Sequence, residues 1–144
     1  MGKNSLQEDE VLFHVHELTP PINDAINLLQ NNTNVILAKL MSNDREEKIR
    51  FSEILYVEYI ERQIFLYTKE KTYLLRQSLV NFINSSPEYL IQISKNTLVN
   101  VYAIAAFKPH LNGNLTVQLS STEKLIVSRR YVSSIKNSLK KIAR

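Results

Sequence analysis

A short polar segment, Ser94–Thr97, separates two apolar runs, Leu90–Ile93 and Leu98–Phe107. Apolar runs of this length that are rich in Ile and Val predict strands packed into a core, so the segment is expected at a strand end or a sheet edge. It holds a cation, Lys95, an amide, Asn96, and two hydroxyls, and such groups can bind phosphate oxygens and base edges. An ordinary surface turn uses the same residue types, and this segment alone favours the turn.

Arg129 and Arg130 are the second candidate for a binding role. Ser128 is predicted to cap a final helix, so the two arginines lie in its first turn, where a cation opposes the helix dipole by about 0.3–1 kcal/mol. An anion held there by the arginines and by the free amides of the helix start would explain their position. The predicted apolar stripe of this helix is Val132, Ile135, Leu139 and Ile142.

Charge is divided unevenly along the chain. Residues 1–61 carry 5 Lys and Arg against 11 Asp and Glu, a balance of −6, whereas residues 62–144 carry 13 against 3, a balance of +10. The two balances sum to the net charge of +4. A basic part of this kind, joined to an acidic one, makes nucleic acid the leading candidate for a partner.

The sequence offers no pattern of residues on which catalysis could depend. It has no cysteine, which excludes disulfides, thiolate metal sites and cysteine nucleophiles. Its two glycines, Gly2 and Gly113, are too few for a phosphate-binding loop or a dinucleotide fingerprint. His14 and His16 share one face of a predicted strand, but without a third ligand a metal site is not favoured. We therefore expect no enzymatic activity, no cofactor and no small-molecule substrate.

Residues 1–45 are predicted to form a small β-α-β extension. Residues 1–9 are polar and expected to be disordered, and Glu10–Leu18 alternates as a strand does. Pro20 suits the first turn of the helix that follows, and Asn34–Met41 is predicted as the second strand. The apolar stripe of the helix is Ile22, Ala25, Ile26 and Leu29.

Residues 46–144 are predicted to form a mainly β domain, with the polar stretch Ser42–Glu47 as its boundary. Ser78 is predicted to cap a short helix, and Asn112-Gly113 indicates a hairpin between Val101–Pro109 and the next strand. No apolar run approaches the roughly 18 residues of a membrane span, and the start lacks an export signal, so a cytoplasmic location is expected. Further predicted strands are Lys48–Phe51, Ile54–Tyr59, Ile64–Thr68, Thr72–Arg76, Asn114–Leu119 and Ile126–Ser128.

Four segments of this second part carry a family resemblance in their order and spacing. They are FSEILYVEY (Phe51–Tyr59), YTKEKTYLLRQSLVNF (Tyr67–Phe82), LIQISKNTLVNVYAIAAFKPHLNGN (Leu90–Asn114) and KLIVSRRYVSSIKNSL (Lys124–Leu139). Together they resemble the LytTR DNA-binding domain family of bacterial transcription regulators, and ISKxxLVN followed by LNG and VSRRYV is a specific combination. The resemblance implies stacked β-sheets with short helices. It also implies a sequence-specific regulator whose loops enter successive major grooves of duplex DNA.

The resemblance also implies which residues contact DNA. The contact loop between the family's second and third strands falls at Glu61–Gln63. A second contact segment follows Ser94, and a third is the arginine-rich start of the last helix. The implied contact residues are Arg62, Gln63, Lys95, Asn96, Arg129 and Arg130.

At some of these positions the chain differs from the family pattern. Arg130 matches the position that reaches bases, and Arg129 is assigned to phosphate. Ser94 replaces a common histidine, Lys95 replaces an arginine or asparagine, and Asn114 follows the turn where an arginine is frequent. The base preference at those positions is therefore expected to differ from that of other members.

Residues 1–45 are too few for the receiver domain that many members of the family carry, so the resemblance points to the short, receiver-less type. Regulators of that type are often sequestered by a membrane protein, which makes a membrane-bound antagonist an expected partner. The apolar helix stripe and low positive charge of the extension motivate a second hypothesis, a homodimer formed through it.

Two other functions stay open. One is a protein-interaction module with a basic surface, controlled by the acidic N-terminal part. The other is an RNA or single-strand binder, which would display a row of aromatic side chains on a sheet face, although most aromatics here are expected in the core. The residues that could supply such a row are Tyr56, Tyr59, Phe65, Tyr67 and Tyr73.

Overall fold

The computed structural model describes residues 34–143. In that part of the chain ten strands form two antiparallel sheets, accompanied by two α-helices and three 3-10 turns. The strands are β1 (Val35–Leu40), β2 (Glu46–Arg50), β3 (Tyr56–Ile60), β4 (Gln63–Tyr67), β5 (Thr72–Leu75), β6 (Leu90–Ser94), β7 (Thr97–Asn100), β8 (Ile104–Pro109), β9 (Leu115–Leu119) and β10 (Lys124–Val127). The helices are α1 (Leu79–Ser85) and α2 (Val132–Ala143), and the 3-10 turns are Phe51–Glu53, Val101–Ala103 and Arg129–Tyr131.

The larger sheet has seven strands in the order β2-β1-β5-β4-β3-β7-β6, and the smaller has three in the order β10-β9-β8. Neighbouring strands are antiparallel throughout, so short turns are enough to connect most of them. In β4, Ile64 and Leu66 are buried on one face, whereas Phe65 lies on the other, as the pleat requires. The predicted mainly β class with stacked sheets is confirmed.

This alternation divides the apolar side chains of the larger sheet between two cores. The first core is covered by α1, whose Phe82 packs 6.1 Å from Phe51, measured between ring centroids. The second lies between the two sheets and α2. Buried residues of the first core are Ala38, Leu40, Ile49, Phe51, Ile54, Val57, Ile64, Leu66, Tyr73, Phe82, Leu90 and Leu98. Those of the second are Tyr56, Ile93, Val99, Val101, Ala103, Leu115, Val117, Leu119, Val127 and Ile135.

Local signals in the sequence place several elements correctly. The Ser78 hydroxyl accepts a hydrogen bond from the Asn81 amide at 3.1 Å, so Ser78 caps α1 as predicted. The predicted strands Ile64–Thr68 and Thr72–Arg76 form the hairpin of β4 and β5, which is closed by the Thr68 amide donating to the Lys71 carbonyl at 2.9 Å. The four strands predicted between residues 48 and 76 are present, with bounds that differ by one or two residues.

The predicted strand Leu98–Phe107 is divided into two strands that belong to different sheets. The division occurs at Asn100, whose side-chain oxygen accepts a hydrogen bond from the Tyr102 amide at 2.9 Å and so turns the chain. The amide nitrogen of the same side chain donates to the Ile54 carbonyl at 3.0 Å. Asn100 therefore bonds backbone on both sides of its amide, and the prediction of one continuous strand over Leu98–Phe107 was wrong.

The predicted strand Asn34–Met41 is present as β1, and it is integrated into the larger sheet. It pairs with β2 along five residue positions and with β5 along two. The compact unit that contains this sheet begins at Asn34. The other predicted parts of the N-terminal extension, including the helix stripe and His14 and His16, lie outside the described residues. Across the described range, no helix is long and apolar enough to span a membrane.

Candidate nucleic-acid interface

The alternating strand directions bring three turns to one end of the larger sheet, which we call the contact end. The turn between β3 and β4 is Glu61–Arg62, and the turn between β6 and β7 is Lys95–Asn96. Because β3 pairs with β7, these two turns emerge beside each other. The third is the 3-10 turn Arg129–Tyr131, which is attached next to the end of β6.

The Glu61–Arg62 turn is a two-residue hairpin loop closed by the pair Ile60 and Gln63. Both of its residues are in the left-handed region, with φ of 50° at Glu61 and 66° at Arg62. Hairpins favour this backbone conformation because it matches the twist of their strands, but they normally place Asn or Gly there. The backbone therefore holds the Arg62 side chain, which is exposed, at the tip of a tight turn.

The Lys95–Asn96 turn is held from two sides. Ser94 pairs with Thr97 at its base, and the Asn96 carbonyl accepts a hydrogen bond from the Tyr59 amide of β3 at 2.8 Å. The Gln92 side chain donates to the Lys95 carbonyl at 3.2 Å. With its backbone engaged in this way, the turn leaves the side chains of Lys95 and Asn96 exposed to solvent.

A bulge in β6 connects this turn to the third one. The register between β6 and β7 shifts between Gln92 and Ser94, which leaves Ile93 outside the regular ladder. The Ile93 carbonyl then accepts a hydrogen bond from the Ser128 amide at 2.9 Å, while its side chain is buried in the second core. The residue before Arg129 is thus fixed to the end of β6, close to Ser94 and Lys95.

The predicted start of the last helix at Ser128 needs a correction. The α-helix begins at Val132, and Arg129–Tyr131 form a 3-10 turn before it. The Ser128 side chain makes no cap hydrogen bond; instead, the Asn114 side-chain oxygen accepts from the Arg129 amide at 2.9 Å. A neighbouring loop therefore provides the partner that a local cap would have supplied.

The hairpin predicted at Asn112-Gly113 is confirmed by the loop between β8 and β9. The same loop contacts the 3-10 turn Arg129–Tyr131. Gly113 has a φ of +94°, and a Cβ built on it would lie 2.6 Å from Cδ of Arg129. The stem of Arg129 thus runs over a position where only hydrogen fits. A surface cavity of about 400 Å³ is lined by Asn112, Asn114, Ser128, Arg129 and Arg130.

In the sequence, this loop carries only the signal of a turn. Asn112 and Asn114 line the cavity with Arg129 and Arg130 because β9 and β10 are neighbouring strands of the smaller sheet. The pattern of residues around the turn does not reveal this pairing. The one available signal was the family resemblance, since Asn114 follows the turn where an arginine is frequent.

The contact end is rich in uncompensated positive charge. Within residues 34–143, the ion pairs closer than 4.0 Å are Arg45 with Glu47 and Lys71 with Glu47, and neither involves the contact end. The Arg130 guanidinium lies over the Tyr131 ring, 5.9 Å from its centroid, a contact worth about 0.5–1 kcal/mol at an exposed site. The described residues include no cluster of His, Cys, Asp and Glu that could hold a metal ion.

Two of the aromatic side chains that could supply a stacking platform, Tyr56 and Tyr67, are packed against each other. Tyr56 is 7% exposed and stacks on Tyr67 with 4.3 Å between ring centroids. The Tyr56 hydroxyl donates to Glu123 and the Tyr67 hydroxyl to Glu58, both at 2.7 Å. Burial and then these hydrogen bonds raise the pKa of both tyrosines above the ordinary value. Packed rings with carboxylates at their hydroxyls are poorly suited to stack on nucleic-acid bases.

Comparison with known proteins identifies the family. The family model described as "LytTr DNA-binding domain" matches residues 44–140. The fold is also similar to a solved LytTr DNA-binding domain from Bacillus cereus, with a TM-score of 0.66 and 24% identity over 74% of this chain and 96% of that one. The chain belongs to the LytTR family, which is a family of DNA-binding domains and not a class of enzymes.

Curated relatives share part of their length with this chain. A "Sensory transduction protein LytR" of Streptococcus agalactiae is 27% identical over 118 residues, which are 81% of this chain and 48% of the relative. An uncharacterized HTH-type transcriptional regulator of Staphylococcus aureus is 29% identical over 91 residues, which are 63% of this chain and 62% of the relative. The chain thus spans about half to three fifths of the length of these relatives.

The structure brings the six residues predicted to contact DNA to the same end of the larger sheet. Five of them are exposed, and Gln63, at the base of its turn, is half-buried. Their arrangement presents cations and amides on three closely connected turns. The predicted contact residues are Arg62, Gln63, Lys95, Asn96, Arg129 and Arg130.

Proposed function

We propose that this protein is a sequence-specific transcription regulator that binds duplex DNA through the contact end of the larger sheet. One observation carries the proposal: three turns with exposed cations are held together at one end of the sheet. The Tyr59 amide donates to the Asn96 carbonyl and the Ser128 amide to the Ile93 carbonyl, and these two hydrogen bonds join the turns. Membership of a DNA-binding domain family and relatives named as regulators support it. We further propose that the turns insert into successive major grooves.

The side chains of the contact end fall into two groups, those that bind phosphate and those that suit base edges. Arg129, Lys95 and other cations provide affinity through phosphate, because each phosphate neutralised releases counterions and adds about −0.9 to the logarithmic salt slope. Arg130, with its planar fork of donors, suits a bidentate contact with guanine, and such a contact discriminates by about 1–3 kcal/mol. Asn96 and Arg62 are the further candidates for reading base edges.

A binding-site selection on random duplex DNA, at fixed salt, tests this function. The wild-type protein is expected to enrich a short repeated motif, and Arg130→Ala is expected to lose the preference for that motif more than it loses total binding. Lys69→Ala is the matched control, since Lys69 is an exposed cation of the turn between β4 and β5, at the opposite end of the sheet. It is expected to enrich the same motif as the wild type.

Three results would count against the proposal. Salt-sensitive binding by the wild type without any enriched motif would leave only a basic surface. Equal losses by Arg130→Ala on the selected and a scrambled duplex would remove its base-reading role. Preference for single-stranded RNA over duplex DNA would favour the aromatic-platform alternative, against which the packing of Tyr56 and Tyr67 already argues.

We propose that this regulator acts in the cytoplasm, as a homodimer, without catalysis or a cofactor. The support for a dimer is the predicted apolar stripe of the N-terminal helix and the low positive charge of the extension, residues 1–45. Sedimentation that shows monomers at high protein concentration without DNA would contradict the dimer. A membrane-bound antagonist is a further proposed partner, and this proposal rests on the family resemblance.

A further inference from the structure

Arg76 lies beside the contact end, although none of the predicted contact segments includes it. The last residue pair between β4 and β5 joins Ile64 to Leu75, so the next position places Arg76 opposite Gln63. The two residues also line one surface cavity of about 320 Å³. Arg76 is therefore the cross-strand neighbour of a predicted contact residue, on the face of the sheet that α1 does not cover.

Lys48 continues the same row across the sheet. It pairs with Leu37 of β1, which lines the cavity together with Arg76. Adjacent strands are about 4.8 Å apart, so Lys48 lies about 10 Å beyond Arg76 in the direction away from the Lys95–Asn96 turn. A major groove is about 12 Å wide, so this row reaches the phosphates that border a groove entered at Arg62.

Arg76 and Lys48 have their charges available for a ligand. Both side chains are exposed, and within residues 34–143 neither is in an ion pair closer than 4.0 Å. Asp44 and Glu46 also line the cavity, together with Lys39. Glu46 is in β2, three strands from Gln63, and lies two residues before Lys48 on the same strand face. The side chain between Arg76 and Lys48 in the row is the exposed Leu37, so no carboxylate separates the two cations.

We propose that Arg76 and Lys48 form a fourth contact segment, which binds the phosphate backbone of the DNA flanking the groove entered by the Glu61–Arg62 turn. This inference rests on the proposed function, because it extends the same interface. The fourth contact segment increases the affinity and lengthens the stretch of DNA that the protein covers. It has no role in choosing bases, since phosphates carry no sequence information.

The salt dependence of binding to the selected duplex tests the segment. Arg76→Gln is expected to reduce the magnitude of the logarithmic salt slope by about 0.9, and the Arg76→Gln, Lys48→Gln double variant by about 1.8. The ratio of affinities for selected and scrambled duplexes is expected to stay unchanged. Lys69→Gln, an exposed cation in the β4–β5 turn at the opposite end of the sheet, is the control and should leave the slope as it is.

Duplex length provides a second readout. Trimming the flank on one side of the motif should weaken binding by the wild type and have little effect on the double variant, because the variant no longer contacts that flank. An unchanged slope in both variants, with normal wild-type binding, would overturn this inference and leave the proposed function intact. A wild type that does not distinguish the selected from the scrambled duplex would overturn the proposed function itself.

Discussion

The turn between β3 and β4 places Glu61 and Arg62 where a hairpin usually carries asparagine and glycine. Each residue other than glycine in the left-handed region lowers the stability of the folded chain by roughly 1 kcal/mol. This turn is therefore less stable than the same turn with asparagine and glycine. A position that retains a charged side chain at such a cost is a candidate for function. We attribute the cost to the need for a cation at the tip of this turn.

Replacing Arg62 separates the two effects. Arg62→Gly is expected to raise the free energy of unfolding by about 1 kcal/mol, because glycine adopts the positive φ without a steric penalty, and to weaken DNA binding. Chemical denaturation and duplex titrations measure the two quantities. Arg62→Ala is the control, since it removes the cation and keeps the strain. An Arg62→Gly variant that binds as tightly as the wild type would show that the side chain does not contact DNA.

Elements of this fold are predicted well where their signals are local. The cap at Ser78, the Asn-Gly hairpin and the alternation of the short strands depend on neighbouring residues, and each is found in the structure. The boundaries that failed depend in part on distant contacts. At Asn100 a local hydrogen bond from the Tyr102 amide turns the chain, but the same side chain also donates to the Ile54 carbonyl, 46 residues away. The 3-10 turn Arg129–Tyr131 is capped by Asn114, fifteen residues away.

Asn100 links elements of both cores, and its loss tests that role. Asn100→Ala leaves the buried Ile54 carbonyl and the Tyr102 amide without their partners, so the free energy of unfolding should fall by about 1–3 kcal/mol. Thermal or urea unfolding measures the change. Asn84→Ala, an exposed asparagine of α1, serves as the control. If both variants lose the same small amount, the hydrogen bonds of Asn100 do not hold the sheet junction.

At the scale of the whole molecule, a side-chain hydrogen bond links the two sheets beside the second core. Tyr56 belongs to β3 of the larger sheet, and its hydroxyl donates to Glu123 in the loop before β10 of the smaller sheet. Burial, and then the hydrogen bond to Glu123, raise the pKa of Tyr56 above its ordinary value of 10.0. The neutral hydroxyl is therefore the form that the folded protein favours.

The raised pKa of Tyr56 determines how alkaline pH changes the free energy of unfolding. Because the pKa of Tyr56 is higher in the folded than in the unfolded chain, the unfolded state loses its proton first as the pH rises. The contribution to stability is fully present below about pH 10 and is lost above it. Urea unfolding at about pH 8 and about pH 11 should show a smaller loss in Tyr56→Phe than in the wild type. An equal loss in both proteins would contradict this role.

The individual residues of the site could be predicted from the sequence better than their arrangement in the fold. The cations themselves were visible in the sequence, because Lys95 interrupts apolar runs and Arg129 and Arg130 stand at a predicted helix start. Their common position was supplied by the family resemblance. The place of Arg76 beside Gln63 depends on strand register, which no local pattern of residues determines.

The central claim is that duplex DNA binds at the contact end of the larger sheet. Two-dimensional amide NMR spectra, recorded while the selected duplex is added to the ¹⁵N-labelled protein, test it most directly. We expect the largest shifts in Glu61–Gln63, Ser94–Asn96, Asn112–Asn114 and Ser128–Tyr131, and weaker shifts with a scrambled duplex. Shifts concentrated at the opposite end, around Lys69–Lys71, or along the aromatic residues of β3 and β4 would contradict the account.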